Sequence, residues 1–206
     1  GEGKTFIAIN LGAILSFLNK KVIILDLDMR RPRLSAIFNV ENTKGMSTIL
    51  IYSNEIDECI NETNLEGLDF ISSGPIPPNQ SELILSTKFQ EVITYLKEKY
   101  DFIIIDTPPI GLVTDGLNII KNVDYPLYVF RADYSNKSFS NNVNKLVEEN
   151  NVKHLSIVLN DFGRGVSGYY YGYGGYGYSY SYSYGGYYSD SKKKKKSIVK
   201  RILNKD

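Results

Sequence analysis

Lys21-Val22-Ile23-Ile24-Leu25-Asp26-Leu27-Asp28 sets four consecutive apolar residues between a lysine and a pair of carboxylates. A strand with one wet face alternates apolar and polar residues, so an unbroken run reads as a strand buried on both faces. Residues 68–72, 102–106, 125–131 and 155–159 have the same character. Helical patterns fit between them. One covers 5–19, with Phe6, Ile9, Ala13, Phe17 and Leu18 near one face; others fall at 45–51, 81–99, 115–121 and 138–150, with Ser81 and Ser138 as N-caps. The repeated βα order predicts an α/β fold, a parallel sheet covered by helices on both faces. In such sheets ligands sit beyond the carboxyl ends of the strands, so chemistry is sought in the residues that follow them.

Two strand ends carry acids. Asp26-Leu27-Asp28-Met29-Arg30-Arg31-Pro32 follows the first strand, and Asp106-Thr107-Pro108-Pro109 follows Phe102-Ile103-Ile104-Ile105. A strand-terminal aspartate often only caps the next turn. A carboxylate at the end of an apolar strand is nonetheless costly to desolvate without a partner, and a Mg²⁺–nucleotide complex is one such partner. Upstream, Gly1-Glu2-Gly3-Lys4-Thr5 matches the second half of a phosphate-binding loop, G-x-x-x-x-G-K-[ST]. In that loop backbone N–H groups cradle phosphates, the lysine reaches the β/γ oxygens and the hydroxyl binds Mg²⁺. The order of loop, first acid motif and second acid motif makes coincidence a poor explanation. The amino terminus is expected to be a cut, so that the strand before the loop is missing and two strand edges are left unpaired.

The length of 206 residues suits one domain plus a tail. Residues 168–206 carry a net charge of +6 and residues 1–167 a net −5. Cys59 and His154 are each the only residue of their type, which excludes a disulfide framework and a Cys/His metal site; a buried structural thiol is expected. The longest apolar stretch, 6–18, is interrupted by Asn10 and Ser16 and is too short to span a bilayer.

With these motifs quoted, the chain resembles the cytoplasmic catalytic domain of the bacterial tyrosine kinases, the BY-kinases, a P-loop ATPase-derived family that accompanies capsule and exopolysaccharide export. Residues 1–5 resemble the end of its Walker A loop, 22–30 its Walker A′ motif and 103–108 its Walker B motif. The run Gly74-Pro75-Ile76-Pro77-Pro78-Asn79-Gln80-Ser81-Glu82-Leu83 is similar to a proline-rich loop of the family. The resemblance implies a P-loop NTPase-like fold, with ATP and Mg²⁺ as cofactors. It further implies that Gly1, Glu2, Gly3, Lys4 and Thr5 bind nucleotide, that Thr5, Asp28 and Asp106 hold Mg²⁺, and that Lys4, Asp26, Asp28 and Asp106 are catalytic. Asp26 is then the expected base toward the tyrosine hydroxyl. The role of Arg30 stays open.

From Gly168 to Tyr188 every residue is Tyr, Gly or Ser, and eleven of the chain's seventeen tyrosines lie there. Lacking aliphatic residues, such a segment is expected to be a flexible, disordered tail. The resemblance implies that Tyr169, Tyr170, Tyr171, Tyr173, Tyr176, Tyr178, Tyr180, Tyr182, Tyr184, Tyr187 and Tyr188 are autophosphorylated. The expected organisation is a kinase domain over 1–167, a tyrosine-rich tail over 168–191 and a polybasic segment over 192–206. Expected partners are further copies of the chain in a ring-like homo-oligomer, a membrane-spanning polysaccharide co-polymerase in the same or a separate chain, and a tyrosine phosphatase, but no nucleic acid. The expected location is the cytoplasmic face of the bacterial inner membrane. Alternatives are a MinD/ParA-type partitioning ATPase and a catalytically silent adaptor.

Overall fold

A computed structural model describes residues 1–109, 115–136 and 139–162. Along the chain run α1 (Lys4–Phe17), β1 (Val22–Asp26), α2 (Leu34–Phe38), α3 (Met46–Leu50), β2 (Ile60–Glu62), β3 (Leu68–Ile71), α4 (Gln80–Ile84) and α5 (Thr87–Lys99). There follow β4 (Phe102–Asp106), α6 (Asp115–Lys121), β5 (Leu127–Arg131), α7 (Phe139–Glu148) and β6 (Ser156–Asn160).

All five residues of β1 are buried, as their unbroken apolar run requires. β1 pairs in parallel with β3 on one side and β4 on the other, Val22 lying opposite Leu68 and Phe102. Strand side chains point alternately to the two faces. Ile23 and Leu25 join Met46, Ile49, Leu83, Phe89, Val92 and Leu96 from α3, α4 and α5. Val22 and Ile24 join Ala8, Ile9 and Ala13 of α1 and Leu34 of α2. Helices therefore cover both faces, and the α/β expectation holds.

The sheet departs from uniform parallel order at two places. β2, which the sequence pattern did not indicate, joins β3 antiparallel and completes the order β2-β3-β1-β4. β5 and β6 form a separate parallel pair. β4, β5 and β6 thus each pair on one side only among the described residues, and they are correspondingly less buried than β1.

α1 corrects the helical-face expectation. Its buried residues are Ala8, Ile9, Gly12, Ala13 and Ser16, while Phe6, Phe17 and Leu18 are exposed. Small side chains let the helix approach the sheet closely: a Cβ added at Gly12 would come within 2.9 Å of Leu68 Cδ1. The bulky residues are left on the outer surface. The single helix expected over 81–99 is two. Ser81 lies inside α4, whose N-cap is Asn79; Ser86 interrupts the run and caps α5, its Oγ accepting the Phe89 N–H at 3.3 Å. Ser138 and the whole of 168–206, with its tyrosine cluster and polybasic end, lie outside the described residues. Cys59 is buried as expected.

The end of β3 meets the start of α3 at Gly45. Its N–H is held by Thr48 Oγ1 at 3.0 Å, and a Cβ there would run into the Ser72 carbonyl oxygen and the Gly74 N–H. Both neighbours are backbone and cannot swing aside. Gly45→Ala is therefore expected to destabilise the fold by about 1–3 kcal/mol. Denaturant unfolding checks this, and a midpoint equal to the native one would contradict it.

Candidate nucleotide and metal site

Gly3 precedes α1 in the left-handed region, φ 94°, where glycine alone is at ease. The first intrahelical bond runs from Ile7 N–H to the Gly3 carbonyl at 2.9 Å. This leaves the N–H groups of Lys4, Thr5 and Phe6 without partners inside the helix, at its positive end. A loop that bends sharply and presents such donors is suited to an anion.

Lys4 Nζ lies 2.8 Å from Glu2 Oε2. Partial burial works against the charged Glu2 carboxylate, but the hydrogen bond and attraction of Lys4 hold it well below the usual carboxylate range. Lys4 is thus a half-buried cation whose present counterion belongs to the same loop. A phosphate that takes Lys4 would share the ammonium's three donors with that carboxylate or replace it.

The second acid motif meets the loop directly. Thr5 Oγ1 donates to Asp106 Oδ2 at 2.5 Å. Asp106 ends β4 opposite Asp26, the last residue of β1, and its carbonyl oxygen accepts the Leu27 N–H at 2.9 Å. Burial pushes the Asp106 carboxyl up to about 6; the Thr5 hydrogen bond and Lys4 oppose the rise, and Asp26 and Asp28 add to it. Burial likewise raises Asp26, which is fully buried. Asp28 is half-buried, and its Oδ1 accepts the Arg31 N–H at 3.3 Å. Lys4, Thr5, Asp26, Asp28 and Asp106 therefore meet at the carboxyl end of the β1–β4 pair.

This chemistry suits Mg²⁺. A buried carboxyl raised toward neutrality beside a hydroxyl favours a cation that would keep it ionised. Among the described residues no three carboxylate, imidazole or thiolate groups hold a metal by themselves. Mg²⁺ commonly takes only one or two protein oxygens and fills its shell with phosphate and water, so Thr5 and Asp106, with Asp28 nearby, are a sufficient protein share.

Residues that the sequence reading passed over hold the other side of the loop. Arg131, the last residue of β5, donates to the Gly1 carbonyl at 3.3 Å, pairs with Asp161 at 3.1 Å and lies over the Tyr134 ring. Asn160, the last residue of β6, donates to the Glu2 carbonyl at 3.0 Å, and a Cβ at Gly3 would collide with its amide. Both end strands, so the rule that singled out Asp26 and Asp106 reaches them too; only their unremarkable residue types hid them. Arg30, whose role the sequence left open, donates from Nε to Gln80 Oε1 at 3.1 Å. With residues 77–82 it lines a cleft of about 370 Å³.

The fold and the loop define the chain as an α/β domain of the P-loop ATPase kind, and residues 1–157 match the model of an AAA domain family. CapB of Staphylococcus aureus is 38% identical over 172 residues, covering 82% of this chain and 75% of CapB. The tyrosine-protein kinase Wzc of Salmonella typhi is 36% identical over 168 residues, 81% of this chain but 23% of Wzc. The chain thus spans about a quarter of its longer relatives. The kinase domain of the Escherichia coli tyrosine kinase ETK superposes with a TM-score of 0.75 at 31% identity, over 84% of this chain and 69% of that domain. The septum site-determining protein MinD of Pyrococcus horikoshii, solved with Mg-ADP, gives 0.64 at 25% identity, over 81% and 68%. The chain belongs to the family of bacterial tyrosine kinases. No helix among the described residues is long and apolar enough to cross a membrane.

Proposed function

We propose that this chain is the catalytic part of an ATP-dependent protein tyrosine kinase that autophosphorylates its carboxyl-terminal tyrosines. The hydrogen bond between Thr5 and Asp106 carries this reading, because it brings the hydroxyl of the phosphate loop onto the carboxylate of the second acid motif. The half-buried Lys4 and the free N–H groups of the first turn of α1 bind and orient the phosphates, while Thr5, Asp28 and Asp106 hold Mg²⁺. The metal, when bound, neutralises charge on the β and γ oxygens. In the transfer a tyrosine oxygen bonds to the γ-phosphorus as the bridging bond to the β-phosphate breaks; ADP leaves with that electron pair, and the hydroxyl proton is shed to an oxygen acceptor in the site. The protein supplies mainly position and charge.

MinD shares the fold, but a block of eleven tyrosines in a Gly/Ser background supports the kinase. The wider setting we propose is the one the family resemblance implies: control of capsule or exopolysaccharide synthesis and export, at the cytoplasmic face of the inner membrane, in a homo-oligomer beside a co-polymerase and reversed by a phosphatase. The domain is placed over 1–167, the substrate tail over 168–191 and the polybasic segment over 192–206. In the full-length protein Lys4→Met is expected to lower the rate of phosphotyrosine formation by about 10²–10³-fold with the fold intact. Anti-phosphotyrosine detection after incubation with Mg·ATP reads this; native-level signal in the folded variant sinks the kinase reading.

A further inference from the structure

We propose that the cleft between Arg30 and residues 77–82 is a docking site for a second ring of the tyrosine tail, holding one tyrosine of the 169–188 cluster while a neighbouring one meets the nucleotide. The proposal deepens the kinase reading and rests on it for the destination of that neighbouring ring. Docking itself needs no catalysis.

The cleft has firm walls. Past β3 the chain turns at Gly74, φ 74°, and Asn42 holds the turn from both sides: its Oδ1 accepts the Gly74 N–H at 3.0 Å and its Nδ2 donates to the Gly74 carbonyl at 2.8 Å. Pro75, Pro77 and Pro78 follow with φ set by their rings, and Leu83 and Ile84 anchor the far end of the segment in the core. On the opposite wall Leu27 and Met29 are buried, which turns the residues between and after them outward, Asp28 half-buried and Arg30 exposed. Arg30 Nε donates to Gln80 Oε1 at 3.1 Å, fixing the guanidinium beside a space of about 370 Å³. Among the described residues Arg30 pairs with no carboxylate.

These surfaces suit what the tail has to offer. From 168 to 188 it carries only rings, hydroxyls and backbone. Proline rings and the face of a guanidinium are surfaces on which a phenol ring stacks. Asn79 and Gln80 each engage one side-chain amide atom, to Glu82 and Arg30, and keep the other for a phenol hydroxyl. Arg30 and Glu82 together give the cleft no net charge, so it selects the ring over a phosphate.

Reach and register agree. The chain leaves β6 beside the phosphate loop, where Asn160 holds the Glu2 carbonyl, and residues 168–188 span up to about 70 Å at full stretch. Tyr176, Tyr178, Tyr180, Tyr182 and Tyr184 recur at every second position. In an extended chain such residues share one side, about 6.5 Å apart. Asp28 and Arg30 are likewise two residues apart, so a ring held on Arg30 leaves the next ring of the series beside Asp28 and the phosphates. A shift by two residues presents another.

The test uses the full-length protein with its eleven tail tyrosines replaced by serine, so that its own tail leaves the cleft open. A labelled peptide of residues 168–191 should bind it without ATP. Arg30→Ala should weaken that binding about two- to fivefold, the loss of one exposed cation–ring contact, and the pair Pro77→Ala and Pro78→Ala should weaken it too, while affinity for a fluorescent Mg·ADP analogue stays at the native level. These measurements need no phosphoryl transfer, so they stand or fall apart from the kinase reading. With Mg·ATP, Arg30→Ala should raise the KM of a 176–184 peptide by the same factor with little change in kcat. That factor should shrink toward one when Tyr180 is the peptide's only tyrosine and the others are serine, because one ring cannot fill both places. Peptide affinity equal to the native value in both cleft variants overturns the proposal. So does an Arg30→Ala protein that loses Mg·ADP affinity by the same factor, which would assign Arg30 to the nucleotide. A phosphorylated peptide that binds more tightly than the unmodified one also overturns it, since Arg30 would then be an anion site.

Discussion

Asp106→Asn in the full-length protein is expected to raise the melting temperature of the ligand-free chain at pH 7 while removing tyrosine phosphorylation. Asp106 is 4% exposed and pushed up to about 6 from an ordinary 3.8, first by burial and then by Asp26 and Asp28, against the pull of Thr5 and Lys4. A carboxyl raised in the folded state binds its proton more tightly there than in the unfolded chain. Its contribution is therefore fully present below the ordinary value and is lost as pH rises through about 6. The loss is on the order of 3 kcal/mol, or roughly 5–10 °C for a domain of this size. Asparagine keeps the shape and an oxygen for Thr5 but carries no charge, so the variant should not show this decline. Bound Mg²⁺ and nucleotide should reverse the order, stabilising the native chain and not the variant. Thermal melts at pH 5 and pH 7.5, with and without Mg·ADP, check each part. A ligand-free variant that melts below the native chain at pH 7.5 would show that the ionised carboxylate is not the burden inferred here.

The same tension explains what was legible in the sequence. β1 was legible because four apolar residues in a row leave one solution, a strand covered on both faces, and its end placed Asp26 beside Asp106 through parallel pairing with β4. Thr5 was legible through its motif, and its contact with Asp106 follows from α1 crossing that pair. β2 was not legible: Ile60–Glu62 is three residues long, and an edge strand that short leaves no periodicity to read. The burial of Gly12 in place of Phe6 and Phe17 was missed because hydrophobicity alone points to bulky residues, whereas close helix–sheet contact selects small ones. Asn160 and Arg131 stand at strand ends that the same rule reaches, but their residue types did not mark them, and their partners are backbone carbonyls of residues 1 and 2, across 130 or more positions of chain. Nothing in local sequence encodes such a contact. The side of the site made by β1 and β4 was written in residue types; the side made by β5 and β6 was written only in topology.

Mass spectrometry of the ATP-treated full-length protein is expected to place phosphate on several of Tyr169, Tyr170, Tyr171, Tyr173, Tyr176, Tyr178, Tyr180, Tyr182, Tyr184, Tyr187 and Tyr188, in mixed patterns. Glycine and serine between the rings give a chain with many near-equivalent registers, so no single tyrosine is singled out by a fixed frame. Each phosphate adds about −1.5 to −2 charges at neutral pH, so two or three bring about −3 to −6 to a segment that carries +6 over 168–206. The modified tail then carries little or no net positive charge, and the body over 1–167 is already at −5. Attraction between tail and body weakens or vanishes, and an assembly in which one copy's tail meets another's acidic site should loosen. Light scattering should accordingly give a smaller mass after treatment with Mg·ATP, and replacing all eleven residues by phenylalanine should remove that change together with most of the phosphotyrosine. The phenylalanine variant should still phosphorylate an added peptide of residues 168–191, because Lys4, Thr5 and Asp106 are untouched. Phosphate found only on tyrosines of the folded body, such as Tyr52, Tyr95 or Tyr134, with the cluster unmodified, would mean that the tail is not the substrate and that its charge has another use.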